Sequence, residues 1–216
     1  MNYKAVIFDL DGTLLDSLED LADSMNVVLG NAGFPIHGVE SYKYFVGDGM
    51  EKLVLRTLPE KHRDIETIKK CMEKIQEEYA KRWNIKTKPY DGIANLLDVL
   101  TEKSIHMAVL SNKPDNFTKL IVKELLPKWE FKAVYGQRES TPRKPDPTAA
   151  LEIAGILGLQ SREILYLGDT GTDMQTASNA GMYAVGALWG FREKEELITN
   201  GARTVIDKPL DLLGFI

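Results

Sequence analysis

Cysteine is nearly missing from this chain of 216 residues. Cys71 stands alone, so no internal disulfide can form and nothing calls for an oxidising compartment. Histidine is also scarce: His37, His62 and His106 are scattered, and with Cys71 they match no zinc-ligand spacing. The opening residues MNYKAVIFDLD lack the basic and long apolar regions of a signal peptide, so a cytoplasmic location is the expectation. No apolar run reaches the roughly 18 residues of a spanning helix. The least polar stretch, 180–191, is rich in Gly and Ala, and no membrane segment is expected. Lysine and arginine form no stripe and the net charge is −5, which gives nucleic acid no footing. GDGMEK at Gly47 to Lys52 lacks the third glycine of a dinucleotide fingerprint, and no Gly-Lys-Ser/Thr exists for a Walker loop. Internal repeats and low-complexity segments are absent as well.

What is present is enough apolar content, 44%, for a substantial core, and two textures of pattern. Tyr3 to Phe8 reads as a short buried strand that ends at Asp9. From about Ser17 to Trp83 the periodicity is helical only. Leu18, Leu21, Ala22, Met25, Val28 and Leu29 form one stripe; Ile65, Ile68, Met72, Ile75 and Tyr79 form another, with Glu66–Lys70 and Glu77–Lys81 as supporting pairs. Ser17 and Asp20 have the spacing of a capping box. From Pro89 onward helices alternate with apolar strands at 105–110, 133–135, 164–167 and 183–187, the pattern of a parallel α/β sheet. The expected organisation is a Rossmann-like α/β core, residues 1–15 and 86–216, interrupted by an all-helical cap, residues 16–85. Two adjacent linkers would let such a cap pivot as a lid.

Chemistry collects where strands end, which is where open parallel sheets bind ligands. In FDLDGTLLDS, Asp9 and Asp11 fall on one face if the extended geometry continues, and two carboxylates so placed call for a cation or a shared proton. The next strand runs into Ser111-Asn112-Lys113, a hydroxyl and backbone amides suited to an anion. Lys144 follows on the stiff loop TPRKPDP. The fourth strand leads to GDTGTD, with Asp169 at its end and Asp173 about one helical turn on.

Each fragment alone has a plain structural reading. SNK is a helix start, GDTGTD a turn capped by Thr170 or Thr172, and Lys144 a solvated loop charge. DxDG resembles a calcium loop only until the glycine is counted, since Gly12 is fourth where an EF-hand needs its sixth. Order and placement lift them together. DLDGT, SNK, RKPDP and GDTGTD occur in the sequence of motifs that marks the haloacid dehalogenase-like superfamily of phosphotransferases, which this chain resembles over essentially its whole length.

That resemblance implies Asp9 as the nucleophile that becomes an aspartyl phosphate and Asp11 as the general acid and base. It implies Ser111, Lys144, Asn112 and the backbone around Leu10, Gly12 and Thr13 as the phosphoryl site. Mg2+ would be held by Asp9, Asp11 through its carbonyl, and Asp169, with Asp173 in or just behind that shell. Asp at position 11 separates the chain from the superfamily's dehalogenases. Four carboxylates, Lys144 and Mg2+ leave one formal negative charge before substrate enters, which suits a protonated Asp11.

The cap stretch YFVGDGMEKLVLRTL, with GALWGFR near residue 190, resembles phosphoglycolate phosphatases. Gly47, Asp48 and Gly49 then form the loop that reads a small phosphorylated metabolite. With no base before Lys52, that loop suits a small monoester better than a second phosphate group, and so disfavours a β-phosphoglucomutase-like mutase. Pyrophosphate and sugar phosphates stay open as substrates. A receiver-like phospho-accepting module is the alternative of another class, and it needs no cap. Monomer and homodimer are both compatible with the sequence.

Overall fold

The computed structural model describes residues 3–216, which fall into two compact units: residues 3–15 with 89–216, and residues 16–88. The larger unit is built on a six-stranded sheet. Its strands are β1 (Ala5–Phe8), β2 (His106–Pro114), β3 (Ala133–Gln137), β4 (Ile164–Gly168), β5 (Tyr183–Ala187) and β6 (Thr204–Ile206), in the spatial order 3-2-1-4-5-6. All pairings are parallel. That is the doubly wound Rossmann order, whose direction reverses between β1 and β4.

The central strand AVIF has no exposed residue, and strands β4 and β5 are nearly as dry, as a sheet covered on both faces demands. Ala5, Ile7, Ala108, Leu110, Ile164 and Tyr166 pack on one face with Ala150, Ile153, Met174 and Ala177 from the flanking helices. Register does the work of placing the site. Phe8 lies opposite both Val109 and Leu167, so the residues after them, Asp9, Ser111 and Asp169, emerge at one edge. Sequence periodicity gives five of the six strands. β6 escapes it because it is three residues long and mostly half-buried.

The smaller unit is all helical in its regular structure between residues 18 and 82: α1 (Leu18–Asn31), α2 (Val39–Phe45), α3 (Met50–Thr57) and α4 (Ile65–Arg82). The stripe expected on α1 is buried throughout. On α4 Ile75 and Tyr79 of the expected stripe are buried, together with Cys71 beside them; Ile68 and Met72 are half-buried, and Ile65 is 87% exposed at the first helical position, capped by Asp64. Glu66–Lys70 pairs as expected at 2.7 Å. Glu77 instead pairs with Lys74, and Lys81 with Glu78, since a spacing of three is as close on a helix as four.

The Ser17–Asp20 capping box does not form. Ser17 makes no side-chain cap bond, and the buried Asp20 carboxylate turns to the returning chain, accepting from the N–H groups of Lys86 and Thr87 and from the Thr87 hydroxyl. Among the described residues, no helix is long and apolar enough to cross a membrane.

Candidate active site

Asp9 leaves the sheet directly after β1 with its N–H bonded to the Leu167 carbonyl at 2.9 Å. The chain then turns sharply. The Leu10 carbonyl accepts from Leu14 and Leu15, and Gly12 has φ +93°, a left-handed conformation that glycine adopts without strain. A Cβ on Gly12 would also lie 2.3 Å from an Asp169 oxygen. Asp11 and Asp9 are thereby held within one tight turn.

On β2 the register with β3 breaks between Leu110 and Pro114, which frees Ser111, Asn112 and Lys113 from regular pairing. Ser111 Oγ accepts from the Lys113 N–H at 3.2 Å. The Asn112 side-chain oxygen accepts from the Lys144 N–H at 3.1 Å, which ties the proline-framed loop to the strand end. Helix α5 (Gly171–Asn179) begins with a true capping box: Thr170 Oγ1 accepts from the Asp173 N–H, and Asp173 accepts from the Thr170 N–H and hydroxyl. Of the two threonines proposed as cap, it is Thr170. Gly168 is required here, because a Cβ would meet that of Asp173 at 2.3 Å.

Lys144 joins these parts. Its ammonium lies 2.8 Å from Asp9, 2.7 Å from Asp173 and 3.1 Å from the Leu110 carbonyl, almost wholly out of water. Burial opposes that charge, yet Asp173 and Asp9 outweigh it and hold the ammonium well above its ordinary range. Burial and the Asp173 charge push the Asp9 carboxyl up to about 7, even against Lys144. Asp169, also fully buried and beside Asp9 and Asp173, is raised well above the usual carboxylate range. Oxygens of Asp9, Asp169 and Asp173 lie within 4.8 Å of one another. Three buried acids, of which only Asp9 and Asp173 pair with Lys144, gather more carboxylate than one lysine balances, and an all-oxygen set of this kind suits a hard divalent cation such as Mg2+.

Two features of the site are absent from the sequence reading. The segment after β5 reaches into it: the Phe191 N–H donates to Asp169 at 2.9 Å, while Thr13 donates its hydroxyl to the other Asp169 oxygen at 2.7 Å. Trp189 adds a bond from its indole N–H to the Thr13 carbonyl at 2.9 Å. The second feature is Lys113, whose buried ammonium grips both oxygens of Asp11 at 2.8 and 3.0 Å. Counting it, four carboxylates, two ammonium groups and one Mg2+ come to zero. The charge count therefore no longer argues for a protonated Asp11; the proton that a general acid at this position gives must be the one it takes from water later in the cycle.

In the helical unit, Gly47 and Gly49 both have positive φ, at +108° and +90°, as a tight loop before α3 requires. Asp48 does not project freely from it. Arg56, in the last turn of α3, donates to the Asp48 carboxylate and to the Phe45 carbonyl at 3.1 Å, pinning the loop from behind.

Acids, a hydroxyl and a lysine at the carboxyl edge of a doubly wound sheet, with a helical insertion after the first strand, define a phosphotransferase-type α/β architecture. The chain belongs to the haloacid dehalogenase-like hydrolase family, whose sequence profile matches residues 6–187. It is 32% identical over 208 residues to a phosphoglycolate phosphatase of Pseudomonas savastanoi pv. phaseolicola, covering 94% of this chain and 76% of that one. A phosphoglycolate phosphatase of Aquifex aeolicus is 30% identical over 210 residues, covering 97% and 95%. The crystal structure of a protein from Lactobacillus delbrueckii subsp. bulgaricus superposes with a TM-score of 0.93 at 32% identity, covering 100% and 99%.

Proposed function

We propose that the protein is a Mg2+-dependent phosphomonoesterase that works through an aspartyl phosphate on Asp9, with 2-phosphoglycolate as the leading substrate. The observation that carries this reading is the Lys144 ammonium set between Asp9 and Asp173 at the strand edge, with Asp11 two residues beyond Asp9. A nucleophile beside a buried cation is placed to receive a phosphoryl group whose charge that cation offsets.

In the first step an Asp9 carboxylate oxygen forms a bond to phosphorus. The bond to the ester oxygen breaks, its electron pair stays on that oxygen, and Asp11 gives it a proton. In the second, a water oxygen attacks phosphorus and passes its proton to Asp11. The Asp9–phosphorus bond breaks and its pair returns to the Asp9 carboxylate. Ser111 and the backbone amides of residues 10–13 and 112 would hold the phosphoryl oxygens. Asp9, Asp169, the Asp11 carbonyl and, directly or through water, Asp173 would hold Mg2+, which supplies charge neutralisation and polarises the phosphoryl group. Phe191 and Thr13 would aim Asp169 for that task.

The substrate assignment rests on the two phosphatases just described and on the loop 47–49. That loop offers glycine backbone and an aspartate already neutralised by Arg56, with no free base for a second phosphate. The helical unit would act as a lid that excludes water until the second step. Phosphate release from a panel of small monoesters and pyrophosphate, each with Mg2+ and with EDTA, tests the reading. Mg2+-dependent release from 2-phosphoglycolate, abolished in a folded Asp9→Asn variant, is the expected result. Sugar-phosphate isomer interconversion without free phosphate would favour a mutase, and wild-type-like release by the Asp9→Asn protein would sink the mechanism.

A further inference from the structure

The four acids of the site are not held alike. Asp9 and Asp173 share Lys144, and Asp169 is fixed by Thr13 and Phe191. These three carboxylates converge, with oxygens within 4.8 Å of one another. The Asp11 carboxylate does not belong to that trio, although its residue lies in the same turn as Asp9. Both its oxygens are turned to Lys113, whose side chain is 3% exposed.

Lys113 is itself locked at both ends of its backbone. Its N–H donates to Ser111 Oγ and its carbonyl accepts from Thr118 Oγ1 at 3.2 Å. A buried ammonium with so little freedom fixes the carboxylate that it grips. Without it, the Asp11 carboxylate would lose this cation in the turn that also carries Asp9, and a hard divalent cation takes any carboxylate oxygen within reach.

We propose that Lys113 is a positioning residue that withholds the Asp11 carboxylate from the cation site and so keeps it for proton transfer. The inference rests on the acid and base role of Asp11 given above. It accounts for a division of labour that spacing alone does not provide: two aspartates two residues apart, one with its carboxylate committed to phosphorus and metal, the other with its carboxylate kept off the metal.

Mg2+ alone is the first probe, titrated by calorimetry into wild type, Lys113→Met, Asp11→Asn and the double variant. Phosphate release is measured in parallel. Removing the nearby positive charge and freeing Asp11 tightens Mg2+ binding in Lys113→Met by about tenfold. Turnover falls on the order of 100-fold, the range assigned to general acid–base catalysis. The double variant binds Mg2+ to within about threefold of wild type, and its turnover is no lower than that of Asp11→Asn, the non-additivity of two residues acting as one.

Unchanged Mg2+ affinity in Lys113→Met, or losses that multiply in the double variant, would overturn the proposal. A neutral residue in a buried pair can unfold a protein, so Lys113→Arg is measured beside it. The retained cation keeps Mg2+ affinity at the wild-type level and at least about a tenth of turnover. A folded arginine variant as inactive as Asp11→Asn would count against the proposal. Wild-type turnover in Asp11→Asn refutes the acid and base role itself, whereas an impaired Asp11→Asn with an unaffected Lys113→Met refutes only the part given to Lys113.

Discussion

Asp20 and Thr87 stand 67 positions apart and are joined twice: the Thr87 N–H and hydroxyl both donate to Asp20 Oδ2, at 2.8 and 2.7 Å. The Lys86 N–H adds contacts to both carboxylate oxygens at 3.0 and 3.1 Å. One buried carboxylate thus closes the helical unit by tying the first turn of α1 to the chain that leaves α4. Asp20→Ala removes the acceptor and leaves two backbone donors and a hydroxyl without it, so a loss of about 2–4 kcal/mol is expected. Urea denaturation followed by circular dichroism measures it. The exposed ammonium of Lys86, 2.8 Å from Asp23, is the control: solvent screens that pair, and Lys86→Met should cost far less than Asp20→Ala. Equal losses in the two variants would show that the backbone bonds to Asp20 contribute little.

Gly190 carries no side chain for a reason that a single substitution exposes. A Cβ there would lie 2.3 Å from the Asp169 Cβ and 2.5 Å from the Gly12 carbonyl, contacts that neither backbone nor a buried acid can absorb. Gly190→Ala must therefore displace Asp169 or the segment that aims it through Phe191. Partners of metal-ligating carboxylates typically contribute 10- to 100-fold in metal affinity or activity. The expected outcome is Mg2+ binding weakened about tenfold and phosphate release lowered by about 100-fold, with the far-ultraviolet spectrum unchanged. An alanine variant with wild-type Mg2+ affinity would mean that the segment after β5 does not position Asp169.

The elements that were legible in the sequence are those with a local cause. Strands β1 to β5 are apolar runs bounded by turn residues, and the acids that end β1 and β4 come together because parallel register aligns the residues after Phe8 and Leu167. Hydrogen bonds that span the chain leave no such pattern. Asp20 satisfies a capping-box spacing, yet the backbone amides of Lys86 and Thr87 compete for it and win. Phe191 acts through its backbone, to which the identity of its side chain gives no clue. Lys113 stands inside a motif, but its reach to Asp11 crosses 102 positions. One signal for it does exist in the sequence: the count of charged groups leaves one negative charge unbalanced, and that deficit asks for a second lysine.

The clustered acids make a pH-dependent claim about Mg2+. Burial first, and the charge of Asp173 next, raise Asp9 from 3.8 to about 7, so between those values the folded chain holds a proton that the unfolded chain has lost. Stability from this group is fully present below about pH 4 and is lost as pH rises through 7, a cost on the order of 4 kcal/mol for the metal-free protein. A divalent cation reverses the balance because it favours the ionised carboxylates, so its binding expels protons near neutral pH. Thermal melting at pH 5.5 and pH 8, each with EDTA and with saturating Mg2+, tests this. The metal-free protein should melt lower at pH 8 than at pH 5.5, and Mg2+ should raise the midpoint by several degrees more at pH 8. In Asp9→Asn, which has no carboxyl to titrate at this position, the pH dependence of the Mg2+ effect should shrink, leaving the part that the raised Asp169 carboxyl contributes. A Mg2+ shift equal at the two pH values in the wild-type protein would show that Asp9 is already ionised before the metal arrives, and that the electrostatic cost of gathering these acids is met by Lys144 and Lys113 alone.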